Sequence, residues 1–148
     1  MRNCIIRNNS EHGIGITGEE TRGTFEKCRI YDNAFAGIAV TDGADPTVRD
    51  CKIYDGKEGG IFVFEKGKGT FENCEVYGNT RSGIEVQTEG NPTVRNCTFR
   101  NGKMGCVFIY DHGRGTFIGN TLSDPQNDIW DIRDTAGYVT RQNNRPNQ

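Results

Sequence analysis

The stretch that decides the fold is residues 43–79, GADPTVRDCKIYDGKEGGIFVFEKGKGTFENCEVYGN, because it holds two copies of one pattern. Each copy has a β-branched segment around a cysteine, then a turn and a second apolar segment. The pattern recurs along the chain, with cysteine spacings of 24, 23, 23 and 23 residues: Cys4, Cys28, Cys51, Cys74 and Cys97. A fixed period in this range predicts a solenoid, a propeller or an array.

The content of each unit favours a solenoid built from strands. A propeller blade needs about 40 residues and a leucine-rich repeat needs leucines, but the chain has one leucine, Leu122, beside 13 Ile and 8 Val. Short β-branched segments broken by Gly, Asn, Asp and Pro indicate short strands and tight turns. The sequence therefore predicts an all-β fold, a single-stranded right-handed parallel β-helix of about six coils of 23 residues.

Alternation along the strands assigns the inward positions, which must be apolar in every coil of a stacked core. One predicted column is Ile14, Ile38, Ile61, Ile84, Val107 and Trp130. The other is Ile16, Val40, Val63, Val86, Ile109 and Ile132. The cysteines form a third interior column, in which free thiols are favoured over disulfides because stacked Cβ vectors run parallel. Asn143 is predicted to continue this column, and Cys106, which replaces a glycine, is expected to be partly exposed.

Composition and charge exclude several classes of protein. A hydrophobic share of 33%, with 20 Gly and one Leu, argues against a helical bundle, a coiled coil and a doubly wound α/β fold. No apolar run approaches the roughly 20 residues of a membrane span. The net charge of −2, without a basic stripe, argues against a nucleic-acid partner. The N-terminus shows no signal peptide, so we expect a cytoplasmic protein or a fragment of a longer chain.

The repeats also resemble a known family. Residues 90–115, GNPTVRNCTFRNGKMGCVFIYDHGRG, are similar to CASH and pectin-lyase-like β-helix repeats, in particular those of the substrate-binding β-helix of an F-box adaptor family and of bacterial β-helix repeat proteins. The resemblance covers nearly the whole chain and implies the fold. For function it implies either protein binding, as in the F-box family, or polysaccharide cleavage, as in the lyases. The lyases use a calcium-binding acid cluster and an arginine on long inserted loops, and this chain has no such insertion.

The two ends of the predicted domain, residues 1–148, differ. Trp130 can close the last full coil, and a partial coil over about residues 133–148 is expected to cap the C-terminal end. The N-terminal end is predicted to be uncapped, because Met1 falls almost directly into the strand that leads to Cys4. A symmetric homodimer formed through this end would cover its exposed core and strand edges.

The outward positions of the second strand suggest a binding face. Phe62, Phe64, Phe108 and Tyr110 are expected to be exposed on one face, with Glu85 and Gln87 between them. Contiguous exposed aromatic side chains typically mark an interaction surface. The alternative is that turn loops or the C-terminal tail cover them. The predicted binding face is therefore Phe62, Phe64, Glu85, Gln87, Phe108 and Tyr110.

These observations favour a non-catalytic binding or scaffold module that presents a flat face to a protein partner. The alternatives are a carbohydrate-binding or carbohydrate-active module, of the lyase or glycosidase type, and a structural spacer of a larger protein. A Glu85–Asp131 pair about 10 Å apart would stand at the limit for an inverting glycosidase. No catalytic residue is assigned. No cofactor and no metal are expected, because His12 and His112 are single and far apart in sequence.

Overall fold

The computed structural model describes residues 1–124 and 127–146, in which eighteen short strands, numbered β1 to β18 along the chain, form three parallel sheets. Sheet A contains β3 (Thr24–Glu26), β6 (Thr47–Arg49), β9 (Thr70–Glu72), β12 (Thr93–Arg95), β15 (Gly115–Ile118) and β18 (Val139–Gln142). Sheet B contains β1 (Ile5–Arg7), β4 (Arg29–Tyr31), β7 (Lys52–Tyr54), β10 (Glu75–Tyr77), β13 (Thr98–Arg100) and β16 (Thr121–Ser123). Sheet C contains β2 (Ile14–Thr17), β5 (Ile38–Thr41), β8 (Ile61–Val63), β11 (Ile84–Val86), β14 (Val107–Ile109) and β17 (Trp130–Ile132).

Each coil contributes one strand to each sheet, and every strand pairs with its equivalent one coil away. Ile38 of β5, for example, is in register with Ile61 of β8. Equivalent residues therefore stack in straight columns at the spacing of hydrogen-bonded strands, about 4.8 Å. The predicted parallel β-helix of about six coils is confirmed.

The core consists of the predicted inward columns. The side chains from Ile14 to Val107 and from Ile16 to Ile109 are buried, whereas Trp130 and Ile132 in the last coil are half-buried. The Trp130 ring meets Phe117 edge-on, with 5.4 Å between the ring centroids. Five free cysteines are buried in the same core, and four of them form the predicted column: Cys28, Cys51, Cys74 and Cys97. The Sγ atoms of the last three donate to carbonyl oxygens of the preceding coil.

Two predictions about the core are wrong. Cys106 is 1% exposed rather than partly exposed, because its side chain packs in the core, where Sγ lies 3.6 Å from the carbonyl oxygen of Phe99 and 3.8 Å from that of Ser123. The asparagine that continues the cysteine column is Asn144 and not Asn143. Asn144 Oδ1 accepts hydrogen bonds from the backbone and side-chain amides of Asn120, at 2.9 and 3.0 Å, while Asn143 is exposed.

A second period, of 46 residues, is built into the turns between sheets B and C. Buried asparagines, Asn33 and Asn79, alternate there with Gly56 and Gly102. Asn79 Oδ1 accepts the N–H of Gly56 at 3.0 Å, and its Nδ2 donates to the carbonyl of Ile53 at 3.3 Å. A Cβ at Gly56 would lie 3.1 Å from Asn79 Oδ1. From Asn33 to Gly102 the asparagine side chain therefore fills the space beside a glycine of the adjacent coil. In the first coil the equivalent residue is Asn9, whose Nδ2 donates to Asn33 Oδ1 at 2.8 Å.

Three expectations concern the ends of the chain and its extent: the C-terminal cap, the single-domain boundary and the N-terminal homodimer. Residues 133–146 include β18 and a bridge between Arg145 and Thr121, and residues 147–148 of the predicted cap lie outside the described residues. The cap, the single-domain boundary and the N-terminal homodimer remain predictions. Within residues 1–124 and 127–146, no helix has the length and apolarity to cross a membrane.

A glycine column where the chain enters sheet C shows how closely the coils approach. A Cβ at Gly60 would lie 2.6 Å from Cγ1 of Val76 and 2.7 Å from the carbonyl oxygen of Gly83. By contrast, a Cβ at Gly15, on the outward face of β2, would meet no atom within 4 Å.

We predict that Gly60→Ala lowers the free energy of unfolding by about 1–3 kcal/mol, because the added methyl group overpacks a rigid site. The matched control Gly15→Ala should stay within about 0.5 kcal/mol of the parent chain. Denaturant unfolding followed by circular dichroism measures both. Equal stability of the two variants would contradict the close stacking described here.

Candidate functional site

The outward face of sheet C, called here the sheet-C surface, brings the predicted binding residues together. Strand register stacks two outward columns. The first column is Gly15, Ala39, Phe62, Glu85, Phe108 and Asp131. The second column is Thr17, Thr41, Phe64, Gln87, Tyr110 and Arg133. The six residues predicted from sequence therefore lie on three successive coils, at β8, β11 and β14.

The four aromatic side chains are arranged as two stacked pairs. The ring centroids of Phe62 and Phe64 are 4.3 Å apart, and those of Phe108 and Tyr110 are 4.5 Å apart. The guanidinium of Arg133 lies over the Phe108 ring, 5.1 Å from its centroid. These contacts leave the four rings half-buried, whereas the sequence predicts exposed rings. The rings still present part of their surface to solvent.

Glu85 lies between the two aromatic pairs and is buried, with 8% of its surface exposed. The Tyr110 hydroxyl donates to Glu85 Oε2 at 2.7 Å. Arg81 Nη2 lies 3.5 Å from Glu85 Oε1. A carboxylate so shielded from water needs charged and hydrogen-bonding partners of this kind. Glu85 is therefore a buried residue that contacts Tyr110 and Arg81. It is not the open surface residue that the sequence predicts.

Arg81 is a site residue that sequence reasoning missed. It lies in the turn before β11, and besides Glu85 it contacts Glu58, with Nη1 3.4 Å from Glu58 Oε2. Its Nε is buried and has no hydrogen-bond partner among the described residues. Backbone hydrogen bonds align Arg81 with Glu58 one coil before and Met104 one coil after. The sequence signal that could have identified Arg81 is its position in the repeat, where the preceding coil has a glutamate, Glu58.

These side chains border a cavity of about 230 Å³, lined by Ala36, Phe62, Arg81, Glu85, Gln87 and Tyr110. The cavity combines aromatic surface with hydrogen-bond donors and acceptors, which suits binding. The hypothetical Glu85–Asp131 acid–base pair gains no support, because Asp131 is held by Arg133 at 2.7 Å and Glu85 by Arg81. Across the described part of the chain, no group of three or more His, Cys, Asp or Glu could hold a metal ion.

The environment of Tyr110 perturbs its titration. Burial, followed by the hydrogen bond to Glu85, raises the pKa of Tyr110 to about 12. Ionisation would break this hydrogen bond and place a phenolate beside a carboxylate. The Tyr110–Glu85 contact therefore persists only while the phenol is neutral.

Comparison with known proteins assigns the family. A family model described as "Right handed beta helix region" matches residues 1–145, and the chain belongs to this family of right-handed parallel β-helices. No curated protein matches the chain.

Two solved structures share the fold. The periplasmic alginate epimerase AlgG is 17% identical, with a TM-score of 0.79 over 97% of this chain and 39% of that one. Pectate lyase Pel9A is 13% identical, with a TM-score of 0.57 over 95% of this chain and 54% of that one. The chain therefore spans about two fifths and about half of these enzymes. Likeness at such identities shows the fold alone.

We predict that one tyrosine titrates near pH 12 and that Tyr110→Phe abolishes this step. Because burial, followed by the hydrogen bond to Glu85, raises the folded pKa above the usual value of about 10, the stability linked to the neutral phenol is fully present below pH 10 and is lost as the pH rises through about 12. The stability advantage of the parent chain over Tyr110→Phe should then vanish as the pH rises to about 12.

Ultraviolet difference titration and denaturant unfolding across this pH window measure both effects. In the control Tyr138→Phe, which removes an exposed ring, the step near pH 12 should remain. A parent chain without any step near pH 12 would contradict the proposed Tyr110–Glu85 contact.

Proposed function

We propose that the chain is a non-catalytic binding module that presents the sheet-C surface to a protein partner. The observation that carries this proposal is the pair of half-exposed aromatic stacks, which lie two coils apart on either side of the Tyr110–Glu85–Arg81 contact. Aromatic side chains and arginine are enriched where proteins bind one another, and they supply most of the binding energy there.

The edge of the sheet-C surface supports the same proposal. Phe35 and Met104 lie in the turns that precede sheet C, and 45% and 51% of their surfaces are exposed. Met104 continues the turn column of Glu58 and Arg81, because the backbone N–H of Arg81 donates to the carbonyl oxygen of Glu58 and that of Met104 donates to the carbonyl oxygen of Arg81. Phe35 holds the equivalent position one coil before Glu58 in the repeat. A partner that covers the aromatic stacks would also bury apolar surface at this edge.

The site supports a non-catalytic role because its carboxylates and its phenol are paired with one another or with Arg81. Tyr110 donates to Glu85, and Arg81 bridges Glu58 and Glu85. A general base or a nucleophile would need a free lone pair aimed at a reacting atom. Mutual pairing instead gives a preorganised surface, which lowers the ordering cost of binding.

A carbohydrate ligand is the second candidate. The cavity of about 230 Å³ beside Phe62 and Tyr110 offers ring edges, an amide and carboxylates, groups that can contact sugar rings and hydroxyls. The two structural neighbours are an alginate epimerase and a pectate lyase, and both matches are too distant to carry an activity to this chain.

The test compares proteins that the immobilised chain retains from a lysate of its source. The double variant Phe62→Ala with Phe108→Ala should lose them by about tenfold or more, since truncation of buried aromatic anchors costs 2 kcal/mol or more. The control Tyr54→Ala removes a stacked, half-buried aromatic ring from the outward face of sheet B and should retain them. Quantitative mass spectrometry measures retention.

Two results would contradict the proposal. One is an identical set of retained proteins for the parent chain and the double variant. The other is cleavage of a polyuronate by the isolated chain, with or without calcium, which would show catalysis and favour the carbohydrate candidate.

A further inference from the structure

Acidic and basic residues are distributed unevenly between the sheet-C side and the rest of the molecule. In each coil, nine residues run from the turn before sheet C to the turn after it: residues 11–19, 35–43, 58–66, 81–89, 104–112 and 127–135. These segments carry eleven acidic and three basic side chains, and the remaining residues carry nine acidic and fifteen basic ones. The formal charge is therefore −8 on the sheet-C side and +6 elsewhere, although the chain total is −2.

Most of this negative charge is not neutralised locally. Of the three bases, Arg81 contacts Glu58 and Glu85, and Arg133 contacts Asp131. The turns after sheet C place further acids on the surface. Exposed members of this edge are Glu19, Asp42, Glu65, Glu89, Asp111 and Asp134. Within the described residues, none of these six forms an ion pair with a lysine or an arginine.

The acidic edge adjoins the aromatic stacks. Glu65 directly follows Phe64, and Asp111 directly follows Tyr110, so a carboxylate flanks each stack. Beside them the surface has a depression of about 490 Å³, lined among others by four acidic residues and one basic residue: Glu19, Asp42, Glu65, Glu89 and Lys66. Aromatic faces and carboxylates thus lie side by side along the coil axis. This combination complements cationic side chains, which gain from both ring faces and negative charge.

Resting on the proposed protein-binding function, we infer that the partner docks on the sheet-C surface through an extended segment rich in lysine and arginine. Its ammonium and guanidinium groups face the acidic edge, and its aliphatic stems cover the aromatic stacks. The field of the acidic side steers such a segment toward the surface and repels polyanions. Nucleic acids and polyuronates are therefore disfavoured ligands.

The length of the surface defines a suitable probe. Six strands at a spacing of about 4.8 Å extend over roughly 24 Å, which an extended peptide covers with about seven or eight residues. A fluorescent decapeptide that alternates lysine and serine therefore spans the surface. Its counterpart with glutamate in place of lysine has the same length and the opposite charge.

Fluorescence anisotropy with the full chain tests the inference. The lysine peptide should bind and the glutamate peptide should not, and binding of the former should weaken as salt rises from about 0.05 M to about 0.5 M. Phe62→Ala should weaken it about tenfold, and Glu89→Lys about threefold or more. Both variants should keep the fold: Phe62 is outward, and one coil before Glu89 the equivalent residue, Lys66, has the same positive φ.

A matched charge control comes from another sheet edge. Asp50→Lys also adds two positive charges, at a position where Lys27 of the preceding coil has the same positive φ. This variant lies between sheets A and B and should change the affinity by less than about twofold. Equal weakening by Glu89→Lys and Asp50→Lys, or unchanged binding by Phe62→Ala, would overturn the inference, because attraction would then depend on net charge alone.

The outcomes separate this inference from the proposed function. If the lysine peptide does not bind, or a pectate oligomer binds instead, while the Phe62 and Phe108 double variant still loses the lysate proteins, the cationic partner is overturned and the protein-binding surface stands. If the lysine peptide does not bind and the double variant also retains those proteins, both are overturned.

Discussion

The structure depends on one constraint, the in-register stacking of equivalent residues at the spacing of hydrogen-bonded parallel strands, about 4.8 Å. Register makes every position a column, so an inward residue must fit against its own equivalents above and below. Buried Ile, Val and Cys side chains meet this requirement at many of the inward positions. Where coils approach most closely, as at Gly60, even one methyl group collides with the next coil. Glycines such as Gly60 thus permit this close approach, whereas Gly15 lies at an open position on the outward face.

The same constraint frees the outward columns for function. The backbone is determined by inward and turn residues, so aromatic rings and charges can differ from coil to coil on the sheet-C surface. There Phe62 and Phe108 are separated by Glu85, whose buried carboxylate is held by Tyr110 and Arg81. The stacked rings and the acids of the following turns form one continuous surface. We attribute binding to this surface because it combines a rigid aromatic centre with an unneutralised edge.

Period and alternation were sufficient to predict the fold and the residues of the sheet-C surface. They gave the inward columns and brought Phe62, Glu85 and Phe108 together, because register follows from the repeat. Exposure was predicted less well, since ring stacking depends on side-chain rotamers that alternation does not specify. Arg81 was missed because it lies in a turn, where no alternation assigns a direction. Asn144 was misplaced because the step from Asn120 is 24 residues and not 23. The charge separation was invisible because it is spread over six separate segments.

The most direct test of this account is amide chemical-shift mapping by nuclear magnetic resonance, with the lysine–serine decapeptide added to the isotope-labelled chain. We expect the largest shifts in residues 58–66, 81–89 and 104–112, around the two aromatic stacks. Sheets A and B should show little change at their outward positions. Shifts concentrated on sheet A or sheet B, with sheet C unaffected, would contradict the claim that function lies on the sheet-C surface.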